Sequence, residues 1–165
     1  MTPLAADLLI LFRRDLRCFM REVEAFSDDG TLWRTVPGIA NSAGNLALHV
    51  AGNLRHFVGA AFGDTGYQRN REAEFTQREG SRASVVETLQ TALSEAERGL
   101  QALTPESLDA PFPLTVMGHE PGTRLFLVHL AAHLAFHLGQ AGYLRRALTG
   151  QAGATGGMAI QDLRR

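Results

Sequence analysis

The sequence predicts an all-α chain folded as a four-helix bundle, on three observations. Apolar residues recur at three- and four-residue steps over four long segments, no segment alternates apolar and polar residues as a strand does, and the segments part at clusters of Gly, Pro and Asp. The chain has 165 residues, 45% of them apolar, with 16 basic against 17 acidic, which suits one globular domain around one core. So balanced a charge argues against nucleic-acid binding through a basic surface.

The first helix is predicted to open at Thr2-Pro3, a cap followed by proline at the first helical position, and to carry Leu4, Leu8, Phe12, Leu16, Phe19, Val23 and Phe26 on one face. Asp28-Asp29-Gly30 should stop it, and Leu32-Trp33 and Pro37-Gly38 should form a connection. Asn41 and Ser42 offer caps for a second helix that runs to about Phe62 and stops at Gly63. Residues 63–80 are polar and read as a long loop with room for a short helical turn; Arg69, Arg71 and Glu74 there are expected to be solvated and ion-paired at the surface.

A third helix should start at Ser81 or at the capping-box pattern beginning at Ser84, with Val86, Leu89, Leu93, Ala96, Leu100 and Leu103 as its stripe. A second long loop, 104–122, holds four prolines and leads to a fourth helix from about Thr123 to Thr149, stopped by Gly150. From about residue 150 the single domain, 1–165, ends in a glycine-rich tail. Helices of this length span roughly 30–40 Å.

Residues 125–144 contain no charged side chain over a length able to cross a bilayer. Three histidines and Gln140 within that stretch argue against lipid and for the centre of a bundle. The single cysteine, Cys18, reads as a small buried residue, and the amino terminus lacks a secretory pattern, so a cytoplasmic location is expected.

Six histidines stand out in this composition, at 49, 56, 119, 129, 133 and 137. At about 100° per residue, His129, His133, His137 and Gln140 fall within about 80° of one another on the fourth helix. Asn45, His49, Asn53 and His56 form a similar stripe on the second. Unpaired polar groups buried this way cost about 1–3 kcal/mol each, and a divalent metal would satisfy several nitrogens at once. An i, i+4 histidine pair suits one ion, with a third histidine from the second helix. The spacing admits either 129/133 or 133/137.

The segments NSAGNLALHVAGNLRHFVGAAFG (41–63), GYQRNREAEF (66–75) and HLAAHLAFHLGQAGYLRR (129–146) resemble the DinB-like, YfiT-like superfamily of bacterial four-helix metalloenzymes. The resemblance covers most of the chain to about residue 149, and it implies His49, His133 and His137 as the metal ligands, with Gly139-Gln140 supplying the register. This chain has Phe136-His137-Leu138-Gly139-Gln140 where the superfamily more often has Tyr-His-Arg-Gly-Gln; the departure touches neighbours, not ligands. Asn45, Asn53, His129 and Gln140 are expected as pocket-wall or ligand-supporting residues, and His56 and His119 as bystanders.

The second and fourth helices contain no carboxylate, so neither the Glu-x-x-His ligands of di-iron bundles nor a His-Glu-x-x-His zinc motif is present in them. Three neutral imidazoles around a divalent ion leave a coordination position open, as in catalytic sites, and Zn, Ni, Fe and Mn all suit such ligands. By resemblance, the expected activity is transferase or hydrolase-like, foremost transfer of a bacillithiol- or mycothiol-type thiol to an electrophilic small molecule. The alternative is a non-catalytic metal or small-ligand binding protein linked to stress response. The apolar face of the fourth helix with Leu127, Leu130, Leu134 and Leu138 should pack on the bundle or on a second subunit, and a homodimer is expected.

Overall fold

A computed structural model describes every residue except 154, 157, 158, 164 and 165. Helix α1 (Pro3–Glu24) opens as expected, with the Thr2 hydroxyl accepting from the Ala5 N–H. It ends earlier than Asp28, and Asp28-Asp29-Gly30 starts a helix instead of stopping one. The Asp28 carboxylate accepts from the Thr31 N–H at 2.7 Å and so caps a short α2 (Asp29–Trp33) in the stretch read as a bare connection.

Helix α3 (Ala43–Leu54) is capped by Ser42, in a reciprocal pair with Asn45. It runs into a π-helical stretch, Arg55–Ala60, and a last α turn, α4 (Ala61–Gly63), before Asp64 adopts the left-handed conformation. Helix α5 (Arg71–Thr76) occupies the first polar loop, and α6 (Arg82–Gln101) starts from Ser81. The buried stripe of α6 is Val85, Leu89, Leu93, Ala96 and Leu100; Val86 is only partly buried. The second loop contains α7 (Pro105–Asp109) and a tight reversal closed by the Val116 and His119 backbones. Helix α8 (Thr123–Thr149) has the expected bounds, and Gly150 ends it at a φ of 69°.

Helices α1 and α3 lie on one diagonal of the bundle, and each packs against both α6 and α8. Phe12, Leu16, Phe19, Leu54, Leu89, Leu100, Leu127 and Leu134 are fully or almost fully buried between them, each worth about 1.5–3 kcal/mol of apolar burial. Close approach of α6 to the π stretch rests on Gly99, where a Cβ would overlap the Val58 carbonyl. Leu127, Leu130, Leu134 and Leu138 point into this bundle. Helix α8 is long and apolar enough to cross a membrane by length and composition, yet one of its faces is consumed by the core, so it is not a clear membrane span.

Near the end of α8, buried Arg145 donates to Glu22 at 2.5 Å and to the Gly153 carbonyl at 2.6 Å, while Glu22 accepts from the Thr155 hydroxyl. These contacts tie the first residues of the tail to α1, and a single 3₁₀ turn, Ile160–Leu163, also lies against α1.

Candidate metal centre

Helix α8 presents His133 and His137 one turn apart, and α3 presents His49 opposite them. Nε2 of His133 lies 3.2 Å from Nε2 of His49 and 3.1 Å from Nε2 of His137. One ring nitrogen from each of the three lies within 4.8 Å of the other two. The spacing alternative 129/133 does not form this group: His129 is exposed, stacks on Phe126 and stands on the cavity wall.

The outer nitrogens determine what faces inward. Nδ1 of His49 lies 2.9 Å from Oε2 of Glu74, a carboxylate that can only accept, so this nitrogen carries the proton. Nδ1 of His137 lies 2.7 Å from Oε1 of Gln140, which accepts in the same way. Both rings therefore turn Nε2 lone pairs toward His133, whose own Nε2 can donate at most one hydrogen. At least one of the two short N···N contacts then sets lone pair against lone pair. A divalent cation resolves that conflict: bonds of about 2.0–2.1 Å to a tetrahedral ion place ligand nitrogens about 3.3 Å apart. The donor set fits such an ion.

The two imidazoles on α8 also resist protonation. Burial, and then the neighbouring His137 and His49, pull the His133 imidazole down to about 3. Burial lowers His137 too, against the opposing hydrogen bond to Gln140. Neutral imidazoles are the form that ligates.

Glu74 and Arg69 correct the expectation of a solvated loop. Glu74 is 5% exposed and receives two hydrogen bonds from Arg69, at 2.7 and 2.8 Å, besides the one from His49. Burial alone would raise its pKa; the bonds from Arg69 and His49 outweigh that and hold it below the usual carboxylate range. The carboxylate that α3 and α8 lack thus arrives from α5, one bond behind the ligand, where it orients the ring and raises its basicity. Room for it comes from Gly52, one turn after His49, since a Cβ there would overlap Glu74 Oε1. A glycine inside a helix beside a histidine face is the sequence signal that could have revealed Glu74.

Asn45 supports the site at one remove. Its side-chain amide donates to the Glu74 and Gln77 carbonyls, both at 2.9 Å, and pins α5 against α3. Asn53 is 8% exposed, its Oδ1 has no partner, and it lines a cavity of about 800 Å³ that also exposes His49 and His133. His56 lines the same cavity, and burial, then the charge of Arg69, lower its pKa from the ordinary imidazole value. His119 lies in the exposed reversal, away from the three.

Comparison with curated proteins gives no match to the chain. Comparison with protein families does: the model of the mycothiol-S-transferase family matches residues 7–150, a span that holds α1 from its fifth residue, the other long helices, the three histidines, Glu74 and Gln140. The chain belongs to the mycothiol-S-transferase family, within the DinB/YfiT-like superfamily.

Proposed function

We propose that the protein is a metal-dependent S-transferase that joins the sulfur of a low-molecular-weight thiol, mycothiol by family membership, to an electrophilic small molecule. The observation that carries this reading is the convergence of three Nε2 atoms, two with their tautomers set from behind, beside an open cavity whose lining includes His49 and His133. A divalent ion held by His49, His133 and His137 would keep a thiol ionised at neutral pH.

The protein's own groups do the rest. Glu74 holds the His49 ring, Arg69 offsets the Glu74 charge, and Gln140 holds His137. Asn53 offers its unpartnered oxygen to an N–H or O–H of a ligand. Phe57, Phe126 and Leu130 make part of the wall apolar, so that water is displaced when the cavity fills. Sulfur forms a bond to the electrophilic carbon, the leaving group departs with its electron pair, and the thiol proton passes to solvent.

Zn, Ni, Fe and Mn are all compatible with three imidazoles. Metal analysis of untagged protein, followed by turnover of mycothiol with a fluorogenic electrophile, tests the reading. One metal per chain and metal-dependent consumption of thiol are expected; a protein that takes up no ion after reconstitution would sink it. Metal without turnover would favour the binding-protein alternative.

We further infer a cytoplasmic homodimer. Leu125, Val128, Phe136 and Tyr143 lie along the outward side of α8, with Phe136 63% and Tyr143 74% exposed, and this uncharged stripe is suited to a second subunit. A monomer mass by light scattering at all concentrations would refute the dimer.

A further inference from the structure

The cavity beside the three imidazoles has a one-sided charge pattern. Among the described residues its lining includes no aspartate or glutamate, and its permanent charges are Arg69 and Arg71. The charge of Arg69 is answered by the two hydrogen bonds it makes to Glu74, which lies behind the wall. Arg71 has no ion pair among the described residues.

Arg71 is placed with some precision all the same. It is the first residue of α5, whose position is held by Asn45 through the Glu74 and Gln77 carbonyls. Its guanidinium lies 5.0 Å from the centre of the Phe75 ring, and that ring lies 4.7 Å from the ring of His49. One aromatic ring thus separates the unanswered cation from the metal centre. A guanidinium presents a planar fork that matches a carboxylate, and its stacking on Phe75 limits the rotamer freedom lost on binding. In the same lining, Phe57, Phe126, Leu130 and Val116 supply apolar surface.

The two substrates of a thiol transfer have unequal needs here. On that reading the thiol would be anchored through its sulfur at the centre, whereas the electrophile, with the ion taken up by sulfur, must be held by the cavity. We propose that the cavity selects an electrophile with a carboxylate on an apolar body, and that Arg71 is the group that grips the carboxylate. The proposal rests on the thiol-transfer reading for the site's chemistry, but its binding half can be measured without turnover.

Two aryl chlorides make the test, 4-chloro-3,5-dinitrobenzoate and 4-chloro-3,5-dinitrobenzamide. In each, sulfur attacks the ring carbon that bears chlorine, the C–S bond forms, the C–Cl bond breaks, chloride leaves with the electron pair and the thiol proton goes to solvent. With rates divided by the uncatalysed rates for the same thiol, kcat/KM should favour the carboxylate about tenfold, the scale of one charge-assisted pair. Arg71→Gln should bring the ratio close to one and Arg71→Lys should keep part of it. Arg124→Gln, at an exposed residue outside the cavity lining, should leave the ratio unchanged.

A second arm omits thiol and leaving group. Ligand-observed NMR titration of the metal-reconstituted protein with 3,5-dinitrobenzoate and 3,5-dinitrobenzamide should show tighter binding of the carboxylate, lost in Arg71→Gln and weakened by salt. Equal affinities in the parent protein would overturn the proposal. So would a carboxylate preference that survives Arg71→Gln, since the ion would then be the anchor. A preference in binding with no turnover of either chloride would remove the thiol-transfer reading and leave the anion site standing. Turnover without preference would do the reverse.

Discussion

The two halves of the candidate metal centre are built in different ways. On α8, His133, His137 and Gln140 are neighbours on one helix, and the contact that orients His137 spans three residues and lies in solvent. On the α3 side, His49 is 7% exposed and is oriented by Glu74, 25 residues away, which is itself held by Arg69. The first half forms whenever α8 forms. The second exists only when α5 is docked, so it would couple the binding of an ion to tertiary structure.

The largest effect should come from the residue shared by both halves. Nε2 of His133 lies within 3.2 Å of the Nε2 atoms of both His49 and His137. A structural zinc site contributes about 10–16 kcal/mol over four ligands, so loss of one ligand amounts to roughly 2.5–4 kcal/mol, on the order of a hundredfold or more in affinity. Chelator competition should show that drop for His133→Ala and no change for His119→Ala. Equal affinities for the two variants would contradict the ligand assignment.

The next effect separates the halves. Glu74→Gln should weaken metal binding about 10–100-fold, the usual range for a group that orients a ligating histidine. It should also cost the metal-free protein stability, because Arg69 loses its buried partner, and breaking such a pair costs about 3–5 kcal/mol. Gln140→Ala, at an exposed residue, should shift stability by less than about 0.5 kcal/mol and affinity by less than Glu74→Gln does. Denaturant unfolding with and without metal measures both. Equal responses of the two variants would mean that burial and distance along the chain do not distinguish the halves.

A glycine sharpens the same contrast. Helix propensity alone makes Gly52→Ala stabilising by about 1 kcal/mol. The added Cβ, however, would overlap Glu74, and overpacking of this kind costs about 1–3 kcal/mol. A lowered Tm together with weaker metal binding is therefore expected. A raised Tm with unchanged affinity would show that α5 can move away without consequence.

What the sequence reveals of this site follows the same division. The bounds of α8, its buried leucines and its row of histidines come from periodicity within one segment, and periodicity is a local property. Ser42 and Asn45 likewise announce the start of α3 through a contact three residues long. The residues 63–80 look polar because their partners are distant: Arg69 and Glu74 satisfy each other beneath the surface, and Asn45 supplies donors from another helix. Charge in a loop reads as solvation unless the buried group that needs it is also considered, here the Nδ1 of His49. The choice between the 129/133 and 133/137 pairs stayed open on spacing alone for a similar reason, since it depends on which turn of α8 lies opposite His49.

The smallest expected effect is in pH, where in the metal-free protein the imidazoles of α8 should act alone above about pH 4.3 and together with Glu74 below it. His133 is held near 3 when folded against about 6.5 unfolded. Below about pH 6.5 the unfolded chain therefore takes up a proton that the folded chain refuses, and stability falls as pH drops from about 6.5 toward 3. His137, lowered in the same direction, adds to this window. Glu74 is lowered from the carboxylate value, so its contribution is present above about pH 4.3 and is lost as pH falls through its folded value. His133 is partly buried, so water screens part of its response and the fall in Tm between pH 7 and 5 should be a few degrees. Replacing His133 with Gln should shrink the upper limb to the share of His137 and leave the part of the acid limb that belongs to Glu74, whereas Glu74→Gln should leave the upper limb and shrink the acid one. If one substitution flattened both limbs, the imidazoles and the carboxylate would have to titrate as one unit, and α5 would belong to the metal centre as fully as α8 does.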